Sequence, residues 1–184
     1  MRKELGPEYY DTYSDHPLSP YWVNLYDKAI ELLPVDTDIK IAELGCGPGL
    51  FAEFLYRKKY KNYWGVDFSK SCVEWAIKRV PSYQFEVGSL YDESIQKKFL
   101  DYDVFICLET LEHLTNDLAI IEAIPKGKEI IFSVPNKDDI AHVRWFQNRE
   151  SVIQRYSPII TFIKGQTIPG VGTKKFYLVY GEKI

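Results

Sequence analysis

The sequence is sparing in several respects, and each scarcity sets a limit. Its 184 residues hold three cysteines, Cys46, Cys72 and Cys107, an odd number with no Cys-x-x-Cys pair. That excludes a disulfide framework and a thiolate zinc cage and fits a reducing compartment. No apolar run approaches the ~18 residues that span a bilayer, and Met1-Arg2-Lys3-Glu4-Leu5-Gly6 lacks the apolar stretch of a signal peptide, so a soluble, cytoplasmic protein is expected. Lys and Arg number 23 against 26 Asp and Glu, a formal net charge of -3, which makes nucleic acid an unlikely partner. The densest basic cluster, Arg57-Lys58-Lys59 with Lys61, falls at an expected helix end, where the helix dipole favours cations. Internal repeats and low-complexity linkers are missing too. Apolar residues are plentiful, at 46% hydrophobic and 15% aromatic, which excludes disorder, collagen and coiled coil; a single domain over residues 1–184 is expected.

Short apolar runs alternate with helical patterns along the chain. Ser19-Pro20 reads as a helix start, with the hydroxyl as cap and proline in the first turn, and apolar residues then recur at helical spacing to Pro34. A strand is expected at Ile39 to Leu44, then a helix with Leu50, Phe51, Phe54 and Leu55 on its apolar face. A second strand ends at Asp67, and Ser69 caps a helix carrying Val73, Ala76 and Ile77. The pattern continues with a strand near Tyr83 to Val87, a short helix from about Asp92, and the run Asp103-Val104-Phe105-Ile106-Cys107-Leu108. A run so free of polar residues suits a strand covered on both faces. After a helical stretch to Ile124 comes Glu129 to Val134, stopped by Pro135. This cadence predicts a doubly wound, mostly parallel sheet. The last segment differs: a helix around Asn148 to Arg155, a strand at Ile159 to Ile163, a Gly/Pro-rich loop over Gly165 to Gly172, and a strand at Phe176 to Tyr180. Two strands without a helix between them predict an antiparallel hairpin.

The most informative stretch is Glu43-Leu44-Gly45-Cys46-Gly47-Pro48-Gly49, between the first strand and the next helix. Glycines there let the chain turn sharply and let a ligand approach the backbone. Asp67 closes the following strand, at the distance from Gly47 where such folds place a carboxylate that grips ribose hydroxyls. Together these indicate an adenosine-containing cofactor. A dinucleotide fingerprint would need glycine where Leu50 stands, and a phosphate loop would need Gly-Lys-Ser/Thr, which is absent. Glu43 beside the loop would repel a pyrophosphate but suits a cation. S-adenosylmethionine has no phosphate and carries an ammonium and a sulfonium.

Four blocks in order, Glu43 to Gly49, Gly65-Val66-Asp67-Phe68-Ser69, Leu108-Glu109-Thr110-Leu111-Glu112-His113-Leu114 and Phe132-Ser133-Val134-Pro135-Asn136, resemble the signature of class I S-adenosylmethionine-dependent methyltransferases. The resemblance covers roughly residues 36 to 146. It implies a seven-stranded, mostly parallel sheet with a C-terminal antiparallel hairpin, a Rossmann-like core over 36–184, and a leader over 1–35. It implies Gly45 and Gly47 along the methionine moiety, Asp67 on the ribose and Phe68 beside the adenine; Glu43, Cys46, Gly49, Ser89, Leu90 and Leu108 complete the expected cofactor set. One departure stands out, since the family often has Gly-Asp after the third strand where this chain has Gly88-Ser89, so either a backbone group or Asp92 makes the adenine contact or cofactor affinity is lower. The leader aromatics Tyr9, Tyr10 and Tyr13 suit a lid that excludes water, while Tyr21 and Trp22 read as packing of the first helix.

Methyl transfer is an in-line displacement, so alignment supplies much of the acceleration and no nucleophilic side chain is needed. A base helps where the acceptor is a hydroxyl or protonated amine. Glu109, His113 and His142 are the expected catalytic residues, on an oxygen or nitrogen of a small-molecule or sugar-like acceptor, without a metal. Two alternatives stand beside this. Glu109, Glu112, His113 and His142 also resemble the divalent-metal set of small-RNA 3′-terminal ribose methyltransferases, and the domain could instead bind the cofactor without turnover. His16 reads as solvated.

Overall fold

The computed structural model describes residues 3–11 and 19–184; the expectations for Tyr13 and His16 lie outside them. Strands β1 (Lys40–Leu44), β2 (Asn62–Asp67), β3 (Gln84–Val87), β4 (Val104–Leu108) and β5 (Glu129–Pro135) run parallel. With β6 (Ile160–Pro169) and β7 (Lys175–Lys183) they form one seven-stranded sheet in the order β3-β2-β1-β4-β5-β7-β6. β7 is antiparallel to both its neighbours. This is the mostly parallel sheet with a terminal antiparallel hairpin that the sequence predicts. The chain leaves β1 toward β2 on one side and returns to β4 on the other, so the carboxyl ends of β1 and β4 flank the topological switch point, where open α/β sheets bind ligands.

Helices cover both faces. A single turn, α1 (Pro7–Tyr10), precedes α2 (Pro20–Ile30); α3 (Leu50–Arg57) and α4 (Lys70–Arg79) follow β1 and β2. The opposite face carries α5 (Glu93–Gln96), α6 (Asp117–Glu122) and α7 (Arg149–Tyr156). β4 shows why its sequence is so apolar. Phe105 and Cys107 join the core under α5 to α7, whereas Val104, Ile106 and Leu108 join the core under α2 and α3, so both faces of the strand are covered. All three cysteines are free and buried. No described helix is long and apolar enough to cross a membrane.

Local expectations hold unevenly. Pro20 opens α2 as predicted, but Ser19 makes no side-chain cap, whereas the Ser69 hydroxyl accepts from the Cys72 N–H at 3.2 Å. The buried stripe of α4 is Cys72, Val73 and Ala76, and Ile77 faces solvent. Tyr21 is exposed rather than packed, while Trp22 lies against Tyr26 and Phe176 at ring distances of 5.7 and 5.5 Å. Arg57 and Lys61 pair with Glu53 and Asp38, so the basic cluster is matched by carboxylates as well as by the helix end. The last loop is shorter than its glycines suggested, because β6 continues through Gly165 to Pro169. A side chain at Gly165 would meet Arg149 Nη2 at 2.8 Å, so the glycine serves a close approach inside the strand.

Candidate active site

The turn after β1 needs its glycines for three different reasons. Gly45, Gly47 and Gly49 all take left-handed φ, at +78°, +49° and +76°. A Cβ on Gly45 would strike the Thr110 side chain at 2.5 Å, and one on Gly49 would strike Ala76 of α4 at 2.9 Å. At Gly47 nothing stands within 4 Å, so its backbone is bare toward open space. The Gly45 and Cys46 N–H groups donate to the Val66 carbonyl at 2.8 and 3.0 Å, tying the turn to β2. Asp67 then braces it, one carboxylate oxygen accepting from the Gly47 N–H and the other from the Ser69 N–H, each at 2.9 Å. Burial raises the Asp67 carboxyl above its ordinary range in spite of those donors.

A cavity of about 460 Å³ opens on this turn and runs to the carboxyl end of β4. Glu43, Gly45, Cys46, Gly47, Asp67, Phe68, Ser89, Leu90 and Leu108 all line it, as do Glu109, His113 and His142. Gly49 and Asp92 do not; Gly49 seats α4 against the turn, and the Asp92 carboxylate accepts from the Ser89 N–H at 3.3 Å. Glu43 is buried and accepts the Tyr63 hydroxyl, and burial pushes its carboxyl up to about 8. Cys46 is buried with its thiol pushed well up by burial, which excludes a thiolate at neutral pH.

At the other end, Glu109 stands directly after β4 with a left-handed φ of +50°. A non-glycine residue held there signals a position fixed by its surroundings. Ser133 of β5 fixes it, accepting from the Glu109 N–H at 3.0 Å and donating to the carboxylate at 2.9 Å. Burial pushes Glu109 up to about 7, against the opposing charge of Lys174. Glu112 is fully buried and raised well above its ordinary range, by burial and then by Glu109. One oxygen of Glu109 and both of Glu112 accept from no other described donor, but the two carboxyls face each other closely enough to share a proton. Arg144 holds the turn that carries Glu112 and His113, donating to the carbonyls of Leu111, Leu114 and Thr115 and pairing with Asp117 at 3.2 Å.

The two imidazoles are set alike. His113 Nδ1 lies 2.8 Å from the Ala141 carbonyl and His142 Nδ1 lies 2.9 Å from the Lys137 carbonyl. A carbonyl only accepts, so the proton of each neutral ring sits on Nδ1 and Nε2 carries the lone pair, that of His113 3.7 Å from Glu112 Oε1. Burial lowers both, His113 to about 4, so both are neutral at pH 7. Ligand atoms of Glu112, His113 and His142 lie within 4.8 Å of one another. A carboxylate with two imidazoles whose other nitrogen is tied to a carbonyl is a donor set that fits a divalent cation.

The leader approaches from the side of the turn. Glu4, Leu5 and Tyr10 line the cavity, with the Tyr10 ring 5.2 Å from Phe68 and 5.7 Å from His113. Glu4 accepts from the Tyr91 and Thr115 hydroxyls at 2.6 Å each, and Asp11 from the Ser69 and Ser71 hydroxyls at 2.7 and 2.8 Å. Residues 4–11 are thus clipped at both ends by carboxylates. Sequence reasoning missed Ser133, Arg144 and Lys174. Ser133 lies in the Phe132 to Asn136 motif and so carries a signal; Arg144 and Lys174 carry none, because their partners are remote in sequence.

A family model described as a methyltransferase domain matches residues 21–168. A ubiquinone biosynthesis O-methyltransferase of Alkalilimnicola ehrlichii is 27% identical over 124 residues, 62% of this chain and 49% of that protein. The chain spans between 49% and 61% of the length of such curated relatives. Among solved structures, the N-methyltransferase NodS of Bradyrhizobium japonicum, in complex with S-adenosyl-L-homocysteine, superposes with a TM-score of 0.73 at 16% identity, covering 96% of each chain. The methyltransferase domain of bacterial CtHen1-C superposes with a TM-score of 0.66 at 21% identity, covering 88% of this chain and 98% of that one. These likenesses are of fold.

Proposed function

Because the chain belongs to the methyltransferase-domain family, whose methyl donor is S-adenosylmethionine, we propose that it transfers a methyl group to an oxygen or nitrogen of a small-molecule acceptor. The observation that carries this reading is one continuous cavity with the bare Gly47 backbone and Asp67 at one end and Glu109, His113 and His142 at the other. The residues present fit the cofactor. Gly45 and Gly47 would lie along its methionine part, Asp67 would take the ribose hydroxyls, and Phe68 with Tyr10 would flank the base. Ser89 and Leu90 would lie near the base, and Glu43 would offer a carboxylate to a cation. When bound, S-adenosylmethionine supplies an electrophilic methyl on a sulfonium.

The chain's own residues then have limited tasks. Glu109, held by Ser133 and titrating near neutrality, accepts the proton of the acceptor nucleophile. Neutral His113 and His142 offer Nε2 lone pairs to donors on the acceptor. The strap of residues 4–11 excludes water from the reacting end. Isothermal titration of the full chain with S-adenosyl-L-homocysteine tests the reading: micromolar or tighter binding is expected, and no binding overturns it.

A second reading is favoured by the Glu112, His113 and His142 cluster with its unpartnered carboxylate oxygens. There the three residues, with Glu109, would hold a divalent cation that lowers the pKa of an acceptor hydroxyl, as on a terminal ribose. Titration with Mn²⁺ decides between the two, since binding that disappears in Glu112→Gln favours the cation and its absence removes it.

A further inference from the structure

Lys174 is the only lysine lining the cavity among the described residues. The other lining cation, Arg79, is occupied by the Pro48 carbonyl at 3.1 Å and Glu53 at 3.0 Å. Lys174 pairs with no described carboxylate; its ammonium stands 5.0 Å over the ring centre of Phe176, which in turn lies against Trp22 at 5.5 Å. Its backbone is gripped on both sides by one residue. The Asn136 amide donates to the Thr173 carbonyl at 3.1 Å and accepts from the Lys175 N–H at 2.6 Å, and the Asn136 N–H donates to the Lys175 carbonyl at 3.0 Å. Such a clamp fixes the peptides before and after Lys174 and thereby the direction in which its side chain starts.

In the same cavity, Glu109 and Glu112 face each other closely enough to share a proton, within the field of Lys174, and one oxygen of Glu109 and both of Glu112 accept from no other described donor. Buried polar atoms are nearly always satisfied, so these call for hydrogen-bond donors from a ligand. The cavity therefore offers a cation at one point, donor-seeking oxygens at another, and an aromatic wall beside the cation. We propose that Lys174, held by Asn136, anchors a carboxylate of the methyl acceptor, which is a hydroxy acid with a flat apolar body whose hydroxyl meets Glu109 and Glu112. One unoccupied cation matches a monoanion; a phosphate near -2 would keep a second charge without a partner. Trp22, which lines the cavity with Tyr26 5.7 Å behind it, provides the face on which a flat body packs.

This rests on the methyltransferase reading, and the test separates the two. Full-length protein is first saturated with S-adenosyl-L-homocysteine, and failure at that step overturns the methyltransferase reading itself. The saturated protein is then titrated with 3-hydroxybenzoate and with 3-hydroxybenzyl alcohol, which differ in the acid group. The benzoate is expected to bind at least tenfold more tightly. Lys174→Met should erase that ratio, Lys174→Arg should keep most of it, and Asn136→Ala should reduce it, all with unchanged affinity for S-adenosyl-L-homocysteine. Equal affinity for the two probes, no binding of either, or a ratio that survives Lys174→Met overturns the proposal.

Discussion

Glu43 makes the stability of the empty protein depend on pH in a direction opposite to that of an ordinary surface carboxylate. Its carboxyl is buried, accepts the Tyr63 hydroxyl, and is pushed up to about 8 from 4.5. Between those values the folded state holds a proton that the unfolded state has released, so stability falls as pH rises through that window. The stability gained from holding that proton is fully present below the unfolded value and lost above the folded one. From pH 5 to pH 8 the loss is at most about 3.5 kcal/mol at 1.36 kcal/mol per pKa unit, and about 2 kcal/mol if the site relaxes around the charge. For a chain of this size that is a Tm difference of roughly 4–14 °C. Glu43→Gln removes the titration and keeps an oxygen for Tyr63. Thermal unfolding of both proteins from pH 5 to 8 isolates the group, because other buried carboxyls contribute equally to each. The variant should gain on the wild type steadily as pH rises. A difference between the two that does not change with pH would refute the reasoning. Affinity for S-adenosylmethionine should move the other way, lower in the variant at pH 8, since a bound cation favours the ionised glutamate.

Other perturbations have separable outcomes. Asp67→Ala should weaken S-adenosyl-L-homocysteine binding at least tenfold, about 1.4 kcal/mol, by calorimetry, and an unchanged affinity would remove Asp67 from the cofactor site. Gly49→Ala forces a Cβ to within 2.9 Å of Ala76 and should lower Tm more than Gly47→Ala, where the space is open; Gly47→Ala should instead cost more in cofactor affinity. The buried Asp117 accepts from Arg155 at 2.8 Å and from Tyr156 at 2.7 Å. Asp117→Ala leaves those partners uncompensated and should cost about 3–5 kcal/mol in denaturant unfolding, and a loss under 1 kcal/mol would show that solvent replaces it.

What the sequence made legible follows from how local each cause is. Strand β4 was readable because burial on both faces leaves no polar residue to place, and the turn after β1 because a left-handed backbone restricts the choice of residue. The hairpin was placed correctly but cut short, since Gly165 and Pro169 are ordinarily turn residues and only the position of Arg149 explains a glycine inside β6. Ser19 preceded proline in the right place, yet its hydroxyl makes no cap. In the site, Asp67 was found by spacing along two consecutive strands. Lys174 reaches the same cavity from the β6–β7 turn, which only the antiparallel pairing of β7 with β5 brings alongside the carboxyl edge. No short-range pattern encodes that.

The position of β7 bears on how the molecule is made. Although it comes last among the strands, it lies between β5 and β6, with Leu178 and Val179 wholly buried. During synthesis β1 to β5 leave the ribosome first and can pair with one another. β6 emerges with no partner waiting, because the strand that joins it to the sheet is not yet translated. The last wall of the cavity, including Lys174, therefore closes only when β7 pairs with β5. Loss of β7 alone would take an interior plank from the sheet and leave β6 unattached.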